Sequence, residues 1–178
     1  KAECHEPRPF VARPREPVVP PRVDLARDTG RVVLADVTYG RKMDGVPRGE
    51  VKDLLVLETM PMPVHFQGGM RPITSGGTFT LERILGTVPV EADGSAHFEA
   101  PALRSLFLVA LDERGEPVKR MHSFFAVQPG ETLSCAGCHE ERTATPPPGA
   151  RGSLLALRRP PSRIRPFEDI PDVMDFPR

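Results

Sequence analysis

The sequence lacks most features that announce a function. Its 24 basic and 24 acidic residues cancel. No basic surplus therefore points to nucleic acid, and no polybasic run points to an anionic membrane surface. No apolar run approaches the ~20 residues that a bilayer-spanning helix needs. There is no repeat at a solenoid period. The chain starts at Lys1 rather than Met, and no charged segment followed by an apolar one marks a signal peptide. It is expected to be a processed chain or an excised piece of something longer, so the missing signal says little about compartment. Cysteine is scarce, at three in 178 residues. A chain of this length suits one domain and buries a core without metal or disulfide staples.

What abounds is proline, 22 residues, well over twice the usual ~5%. The prolines gather at 7–21 (PRPFVARPREPVVPP), at 146–148 and at 160–177. Proline fixes φ and has no N–H to donate, so these stretches read as extended connectors lying over a compact middle.

That middle has the periodicity of strands. Residues 31–39 (RVVLADVTY) read as a buried strand closed by Gly40. Residues 51–60 (VKDLLVLETM) are apolar at 51, 54, 55 and 57, a helix-like spacing, but Pro61 and Pro63 cut the run short and favour a strand. Residues 68–77 (GGMRPITSGG) form a glycine-bounded loop able to approach a ligand. From residue 78 onward TFTLERILGTVPV, EADGSAHFEAP, SLFLVALD and VKRMHSFFAV (118–127) follow one another. They are separated by turn signals at Asp93-Gly94, ERGEP and QPGE. Short strands at this spacing predict a mainly β fold with a sandwich-like antiparallel body. Just past the last of them comes ETLSCAGCHEER (131–142), expected as a loop with room for one short helical turn.

Cys135, Cys138 and His139 make a Cys-x-x-Cys-His motif. Covalent haem c attachment needs two thiols that reach the two vinyl groups of one porphyrin, and an imidazole next to the second thiol to bind the iron. The motif meets both needs in five residues, and the small Ala136 and Gly137 leave room for a porphyrin edge. Zinc is a second reading. A structural zinc site takes four N or S ligands, and Cys4, Cys135, Cys138 and His139 would make such a set while clipping the N-terminal arm to the body. A redox disulfide is a third, disfavoured because such a motif opens a helix in a βαβ unit and here runs into TPPPG.

If haem is bound, His139 offers the fifth iron position. Candidates for the sixth are His5, His65, His97, His122, Tyr39 and the methionines at 43, 60, 62, 70, 121 and 174. His65, in PMPVHFQGGM beside the glycine loop, is the first choice, because imidazole is a common haem ligand. His97 and His122 alternate with core positions and read as plain strand residues. Met121 reads as core filler. Glu140 and Glu141 read as a solvated pair. Cys4-His5 has the look of the tail of a second attachment motif, but Lys1 stands where its first thiol would be.

The segment GGTFTLERILGTVPVEADGSAHFEAPALRSLFLVALDERGEPVKRMHSFFAVQPGETLSCAGCHEERT (76–143) resembles a known family, as does LLALRRPPSRIRPFEDIPDVMDFPR at the end. They are similar to the middle domain of hydrazine synthase alpha-subunit-like proteins, large multidomain c-type cytochromes. The most specific words are VPVEADGSAHFE, ALDE, QPGET and CAGCHE. The resemblance implies one covalent haem at Cys135 and Cys138. It also implies a β-propeller domain upstream and a further cytochrome domain downstream. In the family's hydrazine-forming members a tyrosine four residues after the motif histidine supplies the axial oxygen. Here that position is Thr143, a short, neutral hydroxyl that makes a poor iron ligand.

The expected organisation is a Pro-rich N-terminal arm at 1–24, a β-rich haem-carrying domain at 25–150, and a Pro-rich linker at 151–178 leading toward a following domain. The expected function is electron transfer by a haem c domain inside a larger redox protein, with other redox proteins as partners. Haem c is attached outside the cytoplasm, so the expected compartment is periplasmic or equivalent. Two alternatives stand beside it: an open-iron haem enzyme or ligand-binding domain, and the zinc module through Cys4.

Overall fold

The structure is a computed structural model that describes residues 11–12, 15, 17–18, 20–41, 43–61, 81–138 and 153–168. Seven strands are described: β1 (Thr29–Asp36), β2 (Asp53–Met60), β3 (Leu81–Pro89), β4 (Ala96–Pro101), β5 (Leu106–Leu111), β6 (Pro117–Arg120) and β7 (Thr132–Gly137). They form two sheets. One is three-stranded, in the order β4-β1-β7; the other is four-stranded, in the order β3-β2-β5-β6. All pairings are antiparallel except β1 with β7, which is parallel. The mainly β, sandwich-like body is therefore observed.

Alternation along the strands decides which side chains enter the core. Val32 and Leu34 of β1, with Ala96, Phe98 and Ala100 of β4, face Leu54 and Val56 of β2, Val88 of β3, and Leu106 and Ala110 of β5 in one cluster. Phe98, Val56, Val88 and Leu106 are fully buried. Burying a side chain of this size contributes ~1.5–3 kcal/mol. The four-stranded sheet is buried on its outer face too, where Leu57, Phe107, Val109 and Leu111 form a second cluster. This explains why β2 and β5 read as nearly continuous apolar runs rather than as alternating ones.

The Asp93-Gly94 turn joins β3 to β4 as its residues predict, with Gly94 N–H donating to the Glu91 carbonyl and Glu91 N–H to the Ser95 carbonyl, both at 2.8 Å. Two local expectations are corrected. Residues 118–127 are not one strand: β6 stops at Arg120, and the chain rejoins β5 only at a bridge between Leu106 and Phe125. In the β6 register, Val109 pairs with Arg120, so an unbroken ladder would set Ser123 opposite Leu106. The excursion through 121–124 adds two residues and delivers Phe125 to the core instead. The second correction concerns the cysteine motif. Thr132–Gly137 is a strand, not a loop, because β1 offers it a parallel edge from Arg31↔Thr132 to Asp36↔Gly137.

Residues 153–168 lie along the side where β3 meets β4. A short 3-10 turn, Leu155–Arg158, leads into an extended run. That run bridges to β4 at Phe98↔Ser162 and to β3 at Thr87↔Arg165. One segment is thus hydrogen-bonded to both sheets. Its anchor is Asp93. One carboxylate oxygen accepts from the Ser95 hydroxyl at 2.6 Å and the Ser95 N–H at 3.1 Å. The other accepts from the Leu155 N–H at 2.9 Å and the Ser153 hydroxyl at 3.1 Å. Burial pushes the Asp93 pKa up, but the hydrogen bonds from Ser95, Leu155 and Ser153 outweigh it and lower the value to about 2.

Candidate functional site

The site grows from β7. The QPGE turn aims the strand: Gln128 N–H donates to the Glu131 carboxylate at 2.7 Å, and Arg31 N–H donates to the Glu131 carbonyl at 2.8 Å, starting the β1–β7 ladder. From there Leu133 and Cys135 point inward and pack on the core cluster. Continued alternation would turn Cys138 away from the interior. The chain instead bends at Cys138, and both cysteines line the same cavity.

Two glycines make that bend possible. Cys138 N–H donates to the Tyr39 carbonyl at 2.7 Å, which draws the 137–138 and 39–40 backbones together. A Cβ on Gly137 would lie 1.9 Å from the Tyr39 carbonyl oxygen, and one on Gly40 would lie 1.9 Å from the Cys138 carbonyl oxygen. Gly40 also has φ +148°, where a side chain is strained. Gly137 is thus required by packing against Tyr39, a more pressing reason than room for a porphyrin edge. The 36–50 segment is fixed in turn by Asp36, which is 2% exposed. Its carboxylate accepts from the Thr38 N–H at 2.9 Å, the Thr38 hydroxyl at 2.6 Å and Arg48 Nη2 at 2.5 Å.

The cavity has a volume of ≈ 150 Å³ and opens between β7 of one sheet and β6 of the other. Val32, Leu34, Leu54, Leu108 and Ala110 form its apolar floor; Cys135 and Cys138 sit on one lip, Lys119 and Met121 on the other. The two cysteines therefore border an apolar space on a strand edge.

The structure thus brings together Cys135 and Cys138. Cys4, His65 and His139 lie outside the described residues, as do His5 and Thr143. Among the described residues no three His, Cys, Asp or Glu side chains gather to hold a metal; two members of the expected zinc set, Cys4 and His139, are not among them. His122 is exposed, in the excursion after β6. His97 points away from the inner core, as alternation requires, yet is buried, with an Nδ1 that finds no hydrogen-bond partner. Sequence reasoning passed over Lys119 and the Tyr39 carbonyl. The signal for Lys119 was its spacing of two from Met121; nothing local marks the Tyr39 carbonyl. No described helix is long and apolar enough to cross a membrane.

Two packed β-sheets with a paired-thiol motif on an edge strand define a β-sandwich module of the cysteine-motif kind. Residues 49–140, just over half of the chain, match the family described as hydrazine synthase alpha subunit middle domain, and the chain belongs to this family. It is similar in fold to the solved structure of Kuenenia stuttgartiensis hydrazine synthase, with a TM-score of 0.57 and 18% sequence identity. That likeness covers 72% of this chain and 20% of the other, so the chain spans about a fifth of that protein's length. No curated protein matches it.

Proposed function

We propose that this chain is a haem c domain serving electron transfer within a larger redox protein. Cys135 and Cys138 would hold the porphyrin by thioether bonds, and His139 would be the proximal iron ligand. The observation that carries this reading is that both cysteines of a Cys-x-x-Cys-His motif border one apolar cavity. The residues present fit the group: two sulfurs on one side, an apolar floor, and an opening between two strand edges. The cavity is far smaller than a porphyrin, so only an edge of the ring would enter it.

When bound, haem supplies a one-electron carrier. The chain's own residues would do the rest. The Tyr39–Cys138 hydrogen bond and the two glycines hold the thiols at fixed positions. Leu34, Leu54 and Leu108 keep water from the buried edge, and low polarity around an iron centre is one of the levers that sets its potential. Attachment outside the cytoplasm makes the compartment periplasmic or equivalent. The β-propeller and cytochrome domains that the family resemblance implies would be its partners within the parent protein.

A second reading, an open-iron site that binds or transforms a small ligand, draws its support from family membership. Hydrazine formation itself is not carried over, since Thr143 stands where the resemblance expects the iron-binding tyrosine. A zinc module through Cys4, Cys135, Cys138 and His139 is the third.

One absorption experiment separates the three. The chain is produced in a host with haem c maturation, and spectra are taken oxidised and dithionite-reduced. A Soret band with a sharp reduced α-band is the expected result and marks a low-spin, electron-transferring iron. Broad high-spin features that shift on adding CO would favour the open-iron site. No visible band, with zinc recovered on chelation, would overturn the haem reading.

A further inference from the structure

Between β1 and β2 the described residues from Thr38 to Val51 belong to neither sheet. Their backbone bonds are turn bonds inside the segment: Met43 N–H donates to the Gly40 carbonyl at 3.3 Å, Val46 N–H to the Met43 carbonyl at 3.1 Å, and Glu50 N–H to the Pro47 carbonyl at 3.1 Å. The backbone bond that ties the segment to another strand runs to the cysteine motif, from the Cys138 N–H to the Tyr39 carbonyl. Where that carbonyl stands depends on Asp36. Tyr39 N–H donates to the Asp36 carbonyl at 3.2 Å, and Thr38 donates through both its N–H and its hydroxyl to one oxygen of the Asp36 carboxylate. The other oxygen takes Arg48, 12 residues further on, which closes the segment into a loop. Asp36 also pairs with Gly137 in the β1–β7 ladder. A row of bonds thus runs from Arg48 through Asp36, Thr38 and Tyr39 to Cys138.

The two ends of the ion pair differ in exposure. The Asp36 side chain is 3% exposed and that of Arg48 is 53% exposed. A carboxylate buried this deeply is costly unless it is paired. An asparagine amide would accept the two Thr38 bonds without any charge. The charge of Asp36 is needed only to hold Arg48, and holding Arg48 steadies the loop whose Tyr39 carbonyl seats Cys138.

We propose that Asp36 and Arg48 are the positioning pair of the cysteine motif. Together they set where the Cys138 backbone stands, and so where the second thiol and the next residue in sequence, His139, begin. The inference rests on the haem reading for what the motif carries.

The test uses the full matured chain and reads amide hydrogen exchange residue by residue by NMR. Arg48→Met removes the cation. Asp36→Asn removes the anion, keeps an acceptor for Thr38 and buries no unpaired charge, so it should fold even if Arg48→Met does not. In each variant that folds, the Cys138 amide should exchange faster by about tenfold or more, while the paired Val32 and Phe98 amides of the β1–β4 ladder keep their wild-type rates. Arg48→Lys, which retains the charge, should recover most of the protection at Cys138. With haem attached, Asp36→Asn should also change the electron paramagnetic resonance spectrum of the oxidised iron, and Arg48→Lys should not. A Cys138 amide at its wild-type rate in Asp36→Asn would overturn the inference. Equal acceleration at Cys138, Val32 and Phe98 would overturn it too, since that marks a general loss of stability. So would an unchanged iron spectrum in Asp36→Asn. Covalent haem is read separately, by the mass of the denatured chain. If wild type carries none, the haem reading falls and the amide rates alone decide the positioning pair.

Discussion

The two long sides of the sandwich are finished in opposite ways. At the β3/β4 side, residues 153–168 are hydrogen-bonded to both sheets and held by the buried Asp93 carboxylate. At the β6/β7 side the 121–131 connection bonds to Leu106 of one sheet and to Arg31 of the other, and beside it an apolar cavity opens with two cysteines on its lip. A sandwich needs both sides covered to keep its core dry. One side is closed by a segment bonded to both sheets, and the other presents the cavity. The difference also divides the expected effects: substitutions at the closed side should change stability alone, and those at the open side should change what is bound as well.

Substitutions can break this division. The largest effect is expected at the open side from Gly137→Ala, whose new Cβ would meet the Tyr39 carbonyl. Backbone must move to admit it, at a cost above ~3 kcal/mol, and the thiols move with it. Chemical denaturation should show the loss of stability, and haem attachment should fail even in the fraction that folds. At the closed side, Asp93→Ala leaves the Leu155 N–H and the Ser153 and Ser95 hydroxyls without their acceptor. The expected loss is ~2–3 kcal/mol, seen as a lower denaturation midpoint, with the spectrum of attached haem unchanged. A changed haem spectrum in Asp93→Ala would mean that the two sides are coupled.

Acid sharpens the same comparison. The Asp93 pKa is lowered to about 2 in the folded chain, against ~3.9 in an unfolded one. Its stabilisation of ~2 kcal/mol is therefore complete above pH ~4 and fades as the pH falls toward 2. An acid titration of unfolding should show this loss in wild type and not in Asp93→Ala. The smallest effect belongs to Arg165, whose side chain is 62% exposed and pairs with Asp53 at 2.7 Å. Arg165→Ala should cost under ~1 kcal/mol, because the segment is held there by backbone bonds to Thr87 rather than by that pair.

Much of this fold is legible in the residues themselves. Short apolar runs and turn chemistry locate the strands from β1 to β5, and the Asp93-Gly94 and ERGEP turns fall where those residues allow. What escapes a local reading depends on distant partners. The cysteine segment looks like a loop because its small residues have weak strand preference; it becomes a strand only because β1 offers a free parallel edge. The excursion after Arg120 is invisible in RMHSFF until the core's demand for Phe125 is known. The proline content of 153–168 suggests a connector, yet its anchors, Asp93 and Ser95, lie some 60 residues away. At the site the motif names Cys135 and Cys138 directly. That they share one cavity follows from a bend secured by Tyr39 and Gly40, and no spacing within the motif reports it.

The most direct test of the account is the intact mass of the matured, denatured chain, beside that of Cys135→Ser/Cys138→Ser. The account predicts wild type heavier by one haem and the double variant at the mass of the bare polypeptide. A wild-type chain at its bare mass after proper maturation would contradict it, and would leave the open edge of the sandwich waiting for a different occupant.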